Sequence, residues 1–408
     1  MMRRLAFQDP IFDRELLRTM GHVTYGGAEI GECLATAAQI RQGDRESWYA
    51  AWTALGERNL LAAQASRADG RSASATSAFL RASNYFRTAY LFHLEAPLPP
   101  KVTLAHRRHR EAFRHAAAGL RGAPQPVAIP FEGRTLPGYF CSGGDGCRPL
   151  VVSVGGYETT AEEAYLWNAA AAVGRGYHAV VFDGPGQGEP LVERGLQSRP
   201  DWHLAVSAVI DAFIGRPGVD PDRIAVIGED WGGYLAGGAA ARDPRIAACV
   251  LDPPILGLYK LIRDMLPIRA SLKTRLPDGP AWLVAWLRRK LAQRARQPTH
   301  GAAWRLMMLA HGAPSPWDYI LDSRRYDEEE MVGRIACPTL VCEPAGDPYA
   351  FQTRRFYDLL SCDKTYARFE MEEGSGAHCV TGNRALFHER VFDWLDSRLR
   401  GHTRFAAA

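Results

Sequence analysis

Lysine is scarce in this chain of 408 residues: Lys101, Lys260, Lys273, Lys290 and Lys364 are the only ones among 49 basic side chains. Charge of one sign is scarce too, since 45 acidic residues leave a formal net charge of +4. No basic run is interleaved with aromatics, so a nucleic-acid partner is not expected. No CxxC pair occurs, and no histidine stands at metal-ligand spacing from the eight scattered cysteines. Neither a zinc site nor a disulfide framework is therefore signalled, and no metal or other cofactor is expected. No uncharged apolar run reaches the roughly 18 residues of a spanning helix, and Met1 to Glu15 lack the apolar core of a signal peptide. The expectation is a cytoplasmic protein with free thiols and no membrane partner. What is present, 47% hydrophobic and 23% charged residues, is the composition of a folded protein with a sizeable core.

From about Arg14 to Leu120 apolar residues recur at helical spacing. Trp48, Trp52 and Leu55 share one face, as do Phe79, Ala82, Phe86 and Tyr90, with breaks expected over Asp69–Ser77 and Pro97–Pro100. Gly122 to Pro126 closes this region, because glycine and proline end helices. Beyond it the period changes. Val127 to Cys141 reads as a hairpin, and Leu150–Val154, His178–Phe182, Ile224–Ile227, Ile246–Leu251, Thr339–Cys342 and Ala367–Met371 are short apolar runs separated by helix-length segments, as a buried parallel sheet requires. The alternation fails between Pro253 and about Met331, a mostly helical, aromatic-rich insertion. Its segment Ala281–Arg296 has an apolar side assigned to Trp282, Trp286 and Leu291 and a basic side, the pattern of a solvated cap helix or a membrane-surface helix. The expected division is a helical lid over 1–125, an α/β core over 126–257 and 331–408, and an inserted cap over 258–330.

Gly228-Glu-Asp-Trp-Gly232 follows the strand Ile224–Ile227 and precedes the small-residue segment Gly233–Ala241. Strand, sharp turn and helix in that order form the nucleophile elbow of α/β hydrolases, in which glycines flank the turn because side chains there would collide. The central residue is Asp230 rather than serine. An aspartate in Gly-x-Asp-x-Gly can also be an ordinary helix N-cap, so the context decides. The fold requires nucleophile, acid and histidine in that chain order. Asp347 follows the strand Thr339–Cys342, and His378 follows the last strand, before a terminal helix over Ala385–Leu399. Asp252, at the end of Ile246–Leu251, is the rival for the acid. Val154-Gly-Gly-Tyr-Glu158 follows the first long parallel strand, where the N–H of Tyr157 can join that of Trp231 in an oxyanion hole. Phe182-Asp-Gly-Pro-Gly-Gln-Gly188 reads as a scaffold turn fixed by Asp183, since its spacing does not fit a phosphate loop. Glu158, Glu229, Tyr259 and Trp317 are the candidate substrate contacts.

These motifs, with Tyr25-Gly-Gly-Ala-Glu-Ile-Gly-Glu-Cys33, Ser47-Trp-Tyr-Ala-Ala-Trp52 and Phe79-Leu-Arg-Ala-Ser-Asn-Tyr85, resemble one family over nearly the whole chain. It comprises the cap-bearing α/β hydrolases similar to 2,6-dihydroxypseudooxynicotine hydrolase and to the fungal hydrolases that shorten polyketide pigment precursors. The resemblance implies the α/β-hydrolase fold, a helical region closing over the core, a small-molecule substrate, and a homodimer. Its serine members act on carbon–carbon bonds beside a carbonyl or on related acyl bonds. Asp230 departs from that pattern and is similar instead to the aspartate elbow of epoxide hydrolases and haloalkane dehalogenases.

A carboxylate attacking an acyl carbon would form an anhydride, whereas attack on an sp3 carbon of an epoxide or C–X group gives an alkyl ester. His378, oriented by Asp347, would then activate the water that hydrolyses it. Two alternatives stand beside this expectation. In one, Asp230 and His378 act as general bases in cofactor-free C–C bond cleavage or formation. In the other, the pocket binds a ligand without turnover. A bulky, apolar, polyketide-like molecule is the expected ligand in each case.

Overall fold

The computed structural model describes residues 4–266, 268–327 and 329–399. Five helices come first: α1 (Pro10–Gly21), α2 (Ile30–Ala37), α3 (Arg45–Ala68), α4 (Ser72–Tyr90) and α5 (Pro100–Ala117). Their starts are written in the chain. Asp9 and Asp44 accept hydrogen bonds from the first free N–H groups of α1 and α3, and Pro10 and Pro100 occupy first-turn positions where no N–H is needed. The faces carrying Trp48, Trp52 and Leu55 and carrying Phe79, Ala82, Phe86 and Tyr90 are buried. The break expected over Asp69–Ser77 is shorter, because only Asp69–Arg71 leave the helix and Ser72–Ser77 already belong to α4. Serine and alanine are tolerated there, and Thr76 closes tightly on Gly119.

An eight-stranded sheet follows: β1 (Gln125–Phe131), β2 (Arg134–Cys141), β3 (Arg148–Val154), β4 (His178–Phe182), β5 (Val219–Glu229), β6 (Ile246–Asp252), β7 (Thr339–Pro344) and β8 (Lys364–Phe369). Their order is β1-β2-β4-β3-β5-β6-β7-β8. Strand β2 runs antiparallel to both neighbours, and β4 through β8 are mutually parallel. Val180, Val152, Val226 and Cys249 stand side by side across the sheet and are fully buried. Burial on both faces explains why these strands read as continuous apolar runs. The last strand lies earlier than expected, at Lys364–Phe369 instead of Ala367–Met371. Its pairing with β7 starts at Thr339↔Lys364, and Met371 belongs to the turn closed by Gly374 N–H on its carbonyl.

The insertion between β6 and β7 contains helices Leu258–Met265, Ala281–Ala295, Ala302–His311 and Pro316–Ser323. The inner face of Ala281–Ala295 is Leu283, Leu287, Leu291 and Ala295, not the face assigned to Trp282 and Trp286. Trp282 is 65% exposed, because the i, i+4 repeat of leucines outweighs the two tryptophans in filling the interface. Among the described residues no helix is long and apolar enough to cross a membrane.

Candidate active site

The site forms beyond the carboxyl ends of the parallel strands, where open α/β sheets place ligands. After β5 the chain turns into the helix Trp231–Ala240 through Asp230, held at φ 55° and ψ −128°. The glycines around it are sterically required. A Cβ at Gly228 would lie 2.2 Å from the Gly232 carbonyl oxygen, and one at Gly232 would lie 2.1 Å from that of Val154. The elbow is tied to the neighbouring strand by Asp230 N–H donating to the Asp252 carbonyl at 3.0 Å.

Asp347 and His378 converge on this turn. His378 Nδ1 is 2.7 Å from Asp347 Oδ2, and Nε2 is 3.3 Å from Asp230 Oδ1. Asp347 is fixed in turn, since its Oδ1 accepts from Tyr349 N–H at 2.8 Å and its Oδ2 from Cys379 N–H at 3.3 Å. Burial by itself would lower the His378 pKa, but the Asp347 charge and hydrogen bonds to both carboxylates raise it well above its ordinary value. Burial opposes ionisation of Asp230 as well. The His378 hydrogen bond and charge, with the Trp231 N–H, outweigh it and hold that carboxyl below its usual range. The rival Asp252 lies behind the elbow, fully buried, with neither carboxylate oxygen hydrogen-bonded. Burial and then Glu229 push its pKa well up, so the structure makes Asp347, not Asp252, the partner of His378.

The loop carrying the oxyanion candidate Tyr157 is braced by the turn that holds Asp183 and Gln187. Gln187 Nε2 donates to the Gly155 and Gly156 carbonyls at 2.6 and 3.1 Å. Asp183 accepts from Ala161 N–H and Glu189 N–H at 2.6 and 2.9 Å, so it joins two loops and does not merely fix its own. Trp231 directly follows Asp230 as the first residue of the elbow helix. Tyr157 stacks its ring on the Trp231 indole, with centroids 5.4 Å apart and planes within 3°. Its phenol oxygen lies 2.8 Å from His311 Nε2 of the insertion.

A cavity of about 620 Å³ opens over Asp230, a volume suited to a sizeable small molecule. Glu158 and Glu229 lie on its wall. Glu158 accepts from Arg18 at 2.6 Å, and Glu229 accepts from the buried Arg384 at 2.6 Å. Tyr259 and Trp317 are not on the wall. Tyr259 donates to the Leu276 carbonyl at 2.5 Å, and Trp317 is buried within the insertion with Arg288 over its ring, so both aromatics serve as packing. Three wall features escaped the sequence. Arg14 and Arg18 reach the cavity from α1, and Tyr349 packs edge-on against His378 at 5.3 Å. Cys379 places Sγ 3.5 Å from His378 Nε2. The spacing of Arg14 and Arg18 on one helix face was the only available signal.

Asp347, His378 and Cys379 offer ligand atoms within 4.8 Å of one another. Two of the three are already engaged in the Asp347–His378 hydrogen bond, and burial pushes the Cys379 thiol up, away from the thiolate a metal needs. The arrangement suits proton transfer better than ligation.

Known proteins agree with this architecture. The sequence profile of the alpha/beta hydrolase family matches residues 151–390. Hydrolase LUC6 from Fusarium sp is 36% identical, over 96% of this chain and 97% of that one. The 20-hydroxy-prefusarin hydrolase FUS2 from Gibberella moniliformis is 33% identical over the same shares. The solved structure of 2,6-dihydroxy-pseudo-oxynicotine hydrolase superposes with a TM-score of 0.73 over 95% of this chain and 98% of that one, at 19% identity, a likeness of fold. With the sheet order, the glycine-flanked elbow and these matches in place, the chain belongs to the alpha/beta hydrolase family.

Proposed function

We propose that the chain is an enzyme in which Asp230 and His378 act as a base and an acid on a bulky, mainly apolar small molecule bearing a carbonyl-activated C–H. One observation carries this reading: His378 lies between two carboxylates, 2.7 Å from Asp347 and 3.3 Å from Asp230. Their charges favour the imidazolium, so the resting pair is carboxylate and acid, with the proton already on nitrogen. Asp230 removes the proton beside the carbonyl, and His378 gives its Nε2 proton to the oxygen that gains charge. The resulting enol or enolate forms or breaks a C–C bond, with no cofactor required for the proton transfers. The similarity to fungal hydrolases, one named for 20-hydroxy-prefusarin, supports a secondary metabolite of polyketide type as substrate.

A second reading is favoured by the elbow, because Asp230 stands where this fold presents its nucleophile, at the start of the helix Trp231–Ala240. Attack on an epoxide or C–X carbon would give an alkyl ester. Losing the Asp230 charge would lower the His378 pKa and free it to activate water, while the Trp231 and Tyr157 N–H groups hold the oxyanion.

The two readings part in isotopic water. Propiophenone and longer aryl alkyl ketones, whose C–H beside the single carbonyl exchanges very slowly without a catalyst, are incubated with the enzyme in deuterium oxide, and candidate turnovers are run in oxygen-18 water with mass analysis of the Asp230 peptide. The acid–base reading expects deuterium at the activated carbon, lost in Asp230→Asn and His378→Gln, and no label in Asp230. Oxygen-18 in the Asp230 carboxylate after one turnover refutes it in favour of the ester. Tight binding with no exchange and no turnover by the unaltered protein refutes both in favour of a non-catalytic binder.

A further inference from the structure

We propose that the ligand is an amphipathic anion whose carboxylate is held at the cavity mouth by Lys290 and Arg294 while its apolar body extends toward Asp230. The inference rests on the reading of this cavity as the substrate site, and it adds the charge and polarity of what enters.

The cavity wall is largely aliphatic, with Leu258, Ile262, Leu287 and Met307 among its residues. Its charged groups fall into two sets. The first is internally matched: Arg14 pairs with Glu15 at 3.0 Å, Arg18 with Glu158 and Glu163 at 2.6 and 2.7 Å, Arg384 with Glu229 at 2.6 Å, and His378 with Asp230. The second set is Lys290 and Arg294. Both line the cavity, both are exposed, and neither forms an ion pair among the described residues. Among the described residues the one hydrogen-bond partner of the Arg294 guanidinium is the neutral side chain of Gln297, at 3.2 Å.

Their placement follows from the helix Ala281–Ala295. Trp286, Lys290 and Arg294 are spaced four apart, so they form one stripe along the helix, and all three line the cavity. The leucine face beside this stripe packs into the core and fixes its rotation. Two positive charges and an indole are thus held at the rim of an apolar chamber, with no acidic partner of their own. In a cleft with low-dielectric walls such a pair attracts an anion more strongly than it would on an open surface. A neutral apolar ligand would gain nothing from either charge. A ligand with one carboxylate would supply the missing partner, and Trp286 would cover the first part of its apolar body.

The test uses cis-parinaric acid, a polyene whose fluorescence rises in apolar surroundings, and its methyl ester, which keeps the body and removes the charge. Both are titrated into the full chain and into the double variant Lys290→Gln/Arg294→Gln, whose thermal midpoint is checked alongside. Two partly exposed ion pairs give the acid roughly a fivefold preference over the ester in the unaltered protein. That preference falls in about 0.5 M salt and disappears in the double variant, while ester affinity stays unchanged. Equal affinity for acid and ester in the unaltered protein overturns the anionic head group and leaves the cavity reading intact. Binding of neither probe counts against the cavity itself. An acid preference that survives in the double variant overturns the assignment to Lys290 and Arg294.

Discussion

Gly156→Ala moves the Asp230 carboxylate without changing its chemistry. A Cβ built on Gly156 meets Asp230 Oδ2 at 2.2 Å and its Cβ and Cγ at 3.0 Å. Ordinary contact begins near 3.4 Å, so a shift on the order of 1 Å is required. Gly156 does not have a positive φ, so the methyl group is the whole perturbation and no backbone strain is added. The other carboxylate oxygen, Oδ1, is held by His378 at 3.3 Å, and yielding to the methyl group breaks that register. A misplacement of about 1 Å at a reacting group costs on the order of a hundredfold in rate. Overpacking costs about 1–3 kcal/mol of stability. The assay is deuterium exchange into propiophenone, read beside the urea midpoint. Gly56→Ala supplies the comparison, since its Cβ would crowd the Phe86 ring at 2.8 Å in the α3–α4 contact, far from the site. The expected result is a similar loss of stability in both variants and a loss of exchange in Gly156→Ala alone. Unchanged exchange in Gly156→Ala, at a lowered midpoint, would show that the position of Asp230 does not matter to the reaction.

Asp347→Asn leaves His378 half-buried but removes the larger countercharge, so the imidazolium should titrate at lower pH than in the unaltered protein, as followed by nitrogen-15 NMR of the histidines. His378 titrates above its ordinary 6.5 when folded. The stability from its pairing is therefore complete below that value and is lost as pH rises through the raised one, and the urea-midpoint gap between unaltered protein and variant should narrow in alkali. A His378 titration unmoved by the substitution would remove Asp347 from the triad. In the cap, Leu287→Ala should cost about 2–5 kcal/mol and Trp282→Ser less than about 0.5 kcal/mol. Equal costs by urea unfolding would mean that the helix is turned the other way.

The parallel strands were readable because both faces of the sheet are buried, leaving little polar signal inside each run. Strand β8 was placed several residues late because it lies at the sheet edge. Lys364 and Thr365 are partly exposed there, and the apolar run that marks a central strand is absent. The elbow was readable for a steric reason, since only glycine fits at 228 and 232. Asp347 and His378 followed from chain order alone. Tyr259 and Trp317 were misplaced because helical spacing gives an aromatic facing a cavity and one facing a core the same pattern. Arg14 and Arg18 show in the sequence only as a shared helix face, which does not say that the face meets a cavity. Their place depends on α1 folding back on the loop after β3, with Arg18 and Glu158 separated by 140 positions in the chain.

That long-range contact explains why so much chain precedes the sheet. Arg18 forks onto Glu163 at 2.9 and 2.7 Å and reaches Glu158 at 2.6 Å, while the fully buried Arg87 of α4 meets Glu163 at 3.0 Å. Burial would raise the Glu163 pKa, but the two arginines hold it down as a carboxylate. Removing such charges from water offsets much of what their attraction contributes, so the network is a weak source of stability. Its geometry is directional. A bidentate guanidinium fixes both distance and plane, and Glu158 directly follows Tyr157 in the loop braced by Gln187. The network thus sets α1 against the loop that faces Asp230, leaving Arg14, Glu15 and Arg18 on the cavity wall together with residues of the insertion. The chamber over Asp230 is closed from two sides by segments that meet only in the folded protein. Screening of the Asp230–His378 pair from bulk water therefore draws on the N-terminal helices as well as on the insertion between β6 and β7.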